Sequence, residues 1–158
     1  MPQNGQPTVL FLTASDRIGG TERVVVNLVR ELASRAWDVR VVFPQSERSA
    51  ALLAWCRDQG VDAQAHPAML NAMDPHNNRD ARALWRFVHD NKPDVVNLHY
   101  GLNFLSIKDV LAVRLSGPHQ CVISIHHPVP AGPCSVEGCS FPWNGLSWYY
   151  YHDMYLLR

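Results

Sequence analysis

The sequence predicts an α/β fold: a Rossmann-like, doubly wound parallel sheet with helices on both faces, a three-layer αβα sandwich. Three observations predict it. Five short apolar segments recur between residues 8 and 125, and segments with helical spacing separate them. The apolar segments are near-continuous rather than alternating, as strands buried on both faces are. Strand and helix alternate throughout, which is the signature of βαβ units joined by right-handed crossovers.

The elements follow in order. Thr8 to Ala14 (TVLFLTA) is the first strand, and Ser15 to Gly20 is a polar, glycine-ended loop. Thr21 to Arg35 has helical spacing, with Val25, Leu28, Val29 and Leu32 on one stripe. Val39 to Phe43 is a second strand, stopped by Pro44. Ser49 to Gln59 reads as a helix with Leu52, Leu53 and Cys56 inward, and Gly60 supplies its C-terminal stop. Val61 to Ala65 is a short third strand, and His66 to Asn78 is irregular. Asp80 to Asn91 is a helix with Leu84, Phe87 and Val88 on one face, broken by Lys92-Pro93. Asp94 to His99 is a fourth strand, Phe104 to Leu115 a helix, and Gln120 to Ile125 a fifth strand. Residues 128–158 differ: a Pro/Gly-rich loop with Cys134 and Cys139, then an aromatic tail. The tail, Trp148 to Leu157, reads as a helix that packs on the sheet edge or meets a missing partner.

Composition bounds the function. The 158 residues suit one domain. Forty-seven per cent are hydrophobic, which is enough for a sizeable core. Fourteen basic and 14 acidic residues balance, which argues against a nucleic-acid binder working through a basic face and against disorder. No apolar run approaches the roughly 20 residues of a membrane span. The polar segment Met1 to Pro7 lacks the pattern of a signal peptide, so a soluble, cytoplasmic protein is expected. Cys56 and Cys121 lie in apolar segments and read as core thiols. Cys134 and Cys139 read as reduced loop thiols; a local disulfide, or half of a zinc site completed by His126, His127 or His152, is the alternative.

In open α/β sheets ligands bind beyond the carboxyl ends of the strands, where the strand order reverses. The informative residues therefore follow the strands. They are Ser15 to Gly20 after the first, His99, Tyr100, Gly101, Leu102 and Asn103 after the fourth, and His126 and His127 after the fifth. Three histidines at strand ends are hard to explain as core packing. Gly19-Gly20 allows close backbone approach and angles closed to other residues. The helix after it aims free N–H groups and a positive dipole end at the same spot, which favours phosphate or carboxylate. Glu22 reads as a complement to that dipole. The dinucleotide pattern fails: there is no G-x-G-x-x-G, and the second strand ends Phe43, Pro44, Gln45 with no acidic residue to hold a ribose.

These residues resemble a known family. IGGTERVVVNLVRELASRAWDVRVVFP is similar to the opening of retaining glycosyltransferases of family 4, on Gly19, Gly20, Thr21, Glu22, Asn27, Leu28, Leu32, Val39 and Val41. Trp37 departs from it, standing where a glycine-histidine pair is common. KPDVVNLHYG (92–101) resembles the family's K-P-D-[IV]-[IV]-x-x-H segment. VISIHHP (122–128) resembles its V-x-T-x-H-D segment, with His127 in place of aspartate. The three motifs cover most of residues 8–128, and beyond Pro128 the match fades.

The resemblance implies one half of a GT-B architecture, in which two Rossmann-like domains face each other across a cleft. Residues 1–158 would be the N-terminal, acceptor-side domain. The C-terminal domain, which in the family carries an E-x7-E motif and most of the donor site, would lie outside these residues. The implied reaction moves a hexosyl group from a nucleotide-diphosphate sugar to an acceptor hydroxyl, and this chain alone would be inactive. By the same likeness Gly19, Gly20 and Thr21 would lie near the donor diphosphate. His126 would be the catalytic histidine, holding a sugar hydroxyl or stabilising developing charge. His99, Tyr100, Asn103 and His127 would line the acceptor side. No metal and no cofactor are implied; the nucleotide-diphosphate sugar is a substrate. The partners are that sugar nucleotide, a carbohydrate or lipid-linked acceptor and the missing C-terminal domain, with no nucleic acid. Peripheral membrane association and homo-oligomerisation are compatible with this reading. The alternative is a non-catalytic nucleotide- or metabolite-binding Rossmann-like module, and a third class is a zinc-stabilised interaction domain.

Overall fold

The computed structural model describes residues 5–69, 81–100, 107–118, 120–125 and 155–157. Its elements are β1 (Thr8–Thr13), α1 (Gly20–Ser34), β2 (Asp38–Pro44), α2 (Ser49–Asp58), β3 (Ala63–His66), α3 (Ala81–Asn91), β4 (Val95–Tyr100), α4 (Ile107–Ser116), β5 (Gln120–Ile125) and β6 (Tyr155–Leu157). Five strands pair in parallel and the sheet order is β3-β2-β1-β4-β5-β6. The expected Rossmann-like α/β fold is what the chain adopts.

Alternation along the strands explains the three layers. In β1 the odd residues Val9 and Phe11 face α1 and α2, with Val25, Val26, Val29, Leu52 and Cys56. The even residues Leu10 and Leu12 face the opposite core, with Leu84 and Val88 of α3 and Val113 of α4. Every residue of β1 is therefore buried, which is why its sequence is apolar without a period. Burying a side chain such as Phe11 contributes about 1.5–3 kcal/mol.

Several local details follow from single residues. Gly60 has φ +73° and closes α2 as expected. Its N–H donates to the Arg57 carbonyl, and that of Val61 to the Cys56 carbonyl, so the last carbonyls of the helix are satisfied. Asp94 fastens the opposite end of the sheet. Its carboxylate accepts from the Thr8 N–H at 2.8 Å, and its own N–H donates to the Thr8 carbonyl. The aspartate of the K-P-D segment thus sets the register where β1 and β4 begin, at the edge of the sheet away from the strand carboxyl ends.

Two expectations are corrected. Leu28 is 40% exposed, and the inward stripe of α1 is Glu22, Val25, Val26 and Val29. Val25 and Val29 are buried and Leu32 packs against the same cluster as expected, but the face turns toward Val26 and Glu22, because α1 is set by contact with Phe11 and Phe43 rather than by its own most apolar residues. The end of the aromatic tail is not helical. Tyr155–Leu157 is a strand that pairs antiparallel with β5, Cys121 opposite Leu157 and Ile123 opposite Tyr155. An unpaired edge of β5 supplies the hydrogen-bond partners that a helix there would leave unused. The rest of the 128–158 segment, with Cys134, Cys139 and Trp148, lies outside the described residues.

Candidate functional site

Strand order reverses at β1. Its connection through α1 runs to β2 on one side, while β4 pairs on the other, with Thr13 opposite His99. The carboxyl ends of β1 and β4 and the N-terminus of α1 therefore meet at the switch point, where open α/β sheets bind ligands. β5 ends beside β4, with Tyr100 opposite Ile125.

The loop after β1 builds the described part of this site. Gly19 is the N-cap of α1, in extended backbone (φ −146°, ψ −161°), and among the described residues no side chain caps the helix. Its carbonyl accepts from the Arg23 N–H at 3.3 Å. Gly20 is exposed and Thr21 half-buried, and the first-turn N–H groups of a helix have no acceptor within it. The expectation of special backbone angles is corrected: neither glycine has a positive φ. The reason for Gly19 is contact. A Cβ there would stand 2.9 Å from Glu22 Oε2, whereas one on Gly20 would meet nothing within 4 Å.

Glu22 stands in the first turn of α1, and its burial is what the sequence reading left out. It is 2% exposed, its Oε1 is sealed from solvent, and that atom has no hydrogen-bond partner among the described residues. In the loop before α1, Asp16 is buried, with an ion-pair contact of 3.9 Å to the exposed Arg17. The signal was available: Glu22 lies three and seven residues before Val25 and Val29, hence on their stripe. The Cys56 thiol, in the same core, is pushed up to about 11, first by burial and then by the Glu22 carboxylate. Cys121 is also pushed up to about 11 by burial, with Arg114 pulling the other way.

His99 and Tyr100 are both buried, and alternation turns them to opposite faces. The His99 ring lies against Phe11, centroids 5.5 Å apart, on the α1 side. Tyr100 belongs to the α3–α4 core and donates from its hydroxyl to Asp109 Oδ2 at 3.1 Å. The expectation that His99 does not pack in the core is corrected: at 1% exposure it is part of it. A cavity of about 20 Å³ lies between Thr13, Ala14, His99, Tyr100 and Asp109. Asn103, His126 and His127 lie outside the described residues, as do the loops that follow β4 and β5. Among the described residues no group of three or more His, Cys, Asp or Glu could hold a metal. No helix among them is long and apolar enough to cross a membrane.

This is a Rossmann-like α/β domain whose open helix mouth stands at the switch point of the sheet. The model of Glycosyltransferase Family 4 matches residues 18–157, and the chain belongs to that family. No curated protein matches it. Among solved structures it is similar to a universal stress protein from Archaeoglobus fulgidus in complex with dAMP. The identity is 16% and the TM-score 0.42, over 75% of this chain and 96% of that one, a likeness too slight to inform fold or function.

Proposed function

We propose that this chain is the acceptor-side half of a retaining GT-B glycosyltransferase, which moves a hexosyl group from a nucleotide-diphosphate sugar to an acceptor hydroxyl. The observation that carries the reading is the mouth of α1. A 15-residue helix, uncapped by any side chain among the described residues and opening on exposed Gly20, stands at the switch point of a family 4 chain. Backbone N–H groups and the positive dipole end there suit a diphosphate, with Gly19, Gly20 and Thr21 as its wall. His126 would act on the transferred sugar, and Asn103 and His127 would face the acceptor. Charge on the leaving diphosphate would be met by this dipole and by basic side chains of the C-terminal domain, with no metal.

The test is a comparison of binding and turnover. The purified 158-residue chain is expected to bind UDP- or GDP-linked hexoses weakly by titration calorimetry and to transfer no sugar. Supplying a C-terminal family 4 domain in the same chain is expected to restore transfer, and His126→Ala in that protein to reduce kcat by about 100-fold or more. Clear transfer by the lone chain would sink the incomplete-enzyme reading. Absence of binding to every sugar nucleotide would sink the donor-site assignment.

A further inference from the structure

β3 runs into a turn that a histidine closes. The His66 carbonyl accepts from the Met69 N–H at 3.0 Å and from the Gln45 N–H at 3.3 Å. Pro67 is second in that turn, where its fixed φ is favourable. The His66 side chain closes the same turn again: Nδ1 accepts from the Ala68 N–H at 3.1 Å. A ring nitrogen that accepts carries no proton, so the imidazole in this bond is neutral, with its hydrogen on Nε2. The ring also lies on Phe87 of α3, centroids 4.3 Å apart. What the turn seats belongs to the core. Ala68 and Met69 are buried in one cluster with Leu84 of α3. Both line the small cavity at the carboxyl ends of β1 and β4, with Thr13, Ala14 and His99.

We infer that His66 is a pH-sensitive latch: neutral, it holds the turn 66–69 closed, and protonated, it releases Ala68 and Met69 from the wall of that cavity. The latch needs no ligand and works whatever the site binds. A protonated Nδ1 is a donor facing the Ala68 N–H, another donor, so the bond is lost. Burial pushes the imidazole below its ordinary 6.5. Above pH 6.5 the ring is neutral whether the turn is closed or open, and the latch has its full hold. As pH falls below that value the open form takes the proton first, and the hold is lost as pH passes through the lowered value of the closed form. β2 carries Asp38 and Arg40 at its far end, paired at 3.0 Å, and Glu47 and Arg48 follow it. α2 carries Arg57 and Asp58 before β3, and α3 carries Arg82, Arg86, His89 and Asp90 around Phe87. Each of these sets is mixed in sign, and burial is what lowers the ring.

The experiment is NMR-detected hydrogen exchange of the 158-residue chain from about pH 7.5 to about pH 5. Rates are read as protection factors, which removes the intrinsic pH dependence of exchange. The Ala68 and Met69 amides are expected to lose protection about tenfold across this range, the size of one hydrogen bond, while those of β1 and β4 keep theirs. His66→Asn offers a side-chain oxygen to the N–H two residues on and does not titrate, so it is expected to keep Ala68 protected at both ends of the range. His66→Leu, with no acceptor, is expected to show the low protection at every pH. Should it not fold, the wild-type profile and His66→Asn carry the test. Constant protection of Ala68 in the wild type overturns the latch. An equal fall in His66→Asn also overturns it and assigns the titration to another group, such as His89. An equal fall at the β1 amides overturns it as well, since the whole chain would then be opening rather than the turn.

Discussion

At the scale of single residues, the two glycines at the head of α1 do different work. A Cβ at Gly19 would crowd Glu22, while one at Gly20 would meet nothing within 4 Å. Gly19→Ala is expected to destabilise the chain by about 1–2 kcal/mol, from overpacking against a buried carboxylate and loss of a favourable N-cap. In a Glu22→Ala background most of that cost should disappear, so a double-mutant cycle in urea reads the contact directly. Gly20→Ala should change stability by no more than about 1 kcal/mol, in the stabilising direction if at all, since it replaces glycine with alanine inside the helix. Equal losses for the two single variants would mean that the contact with Glu22 is not what fixes Gly19. The same scale separates the thiols. Cys56 and Cys121, both pushed up to about 11 by burial, should remain protonated at pH 8 and resist iodoacetamide in the folded chain. Rapid labelling of either, located by peptide mass spectrometry, would contradict their place in the core.

At the scale of elements, the C-terminus of α1 carries an unfavourable residue. Ala36 has φ +61°, in the left-handed region. The Ala36 N–H donates to the Ala33 carbonyl and that of Trp37 to the Leu32 carbonyl, the same pattern that Gly60 completes at the end of α2. Left-handed backbone costs a residue with a Cβ about 1–2 kcal/mol. Ala36→Gly is therefore expected to stabilise the chain by about 1 kcal/mol, or roughly 2–4 °C in Tm, by thermal melting. A fall in Tm would show that the left-handed turn is not held in solution. Strands and helices were legible here because each has a local cause: runs of branched apolar residues, Pro44 and Pro93 as breaks, Gly60 as a stop. The stripe of α1 was not, because Leu28 and Val26 differ little in apolarity and only the neighbouring sheet decides between them.

At the scale of the whole molecule, the switch point between β1 and β4 organises the site, and β6 closes one edge of the sheet. Deleting residues 155–158 would bare the hydrogen-bonding groups of β5, and exposed parallel edges recruit other strands. The shortened chain is expected to self-associate in sedimentation velocity at concentrations where the full chain does not. An unchanged distribution would show that β6 does not protect that edge. The sequence by itself determined the order and type of the elements from β1 to β5, the two-faced burial of the sheet and the glycine-opened helix after β1. These rest on local composition and period, which a chain carries with it wherever it folds. Only the tertiary structure decided that His99 and Tyr100 face opposite cores, that the tail ends in a strand, and that Glu22 lies buried against Gly19. Each of those depends on which surface a neighbouring element leaves uncovered, and no residue records that in its own identity.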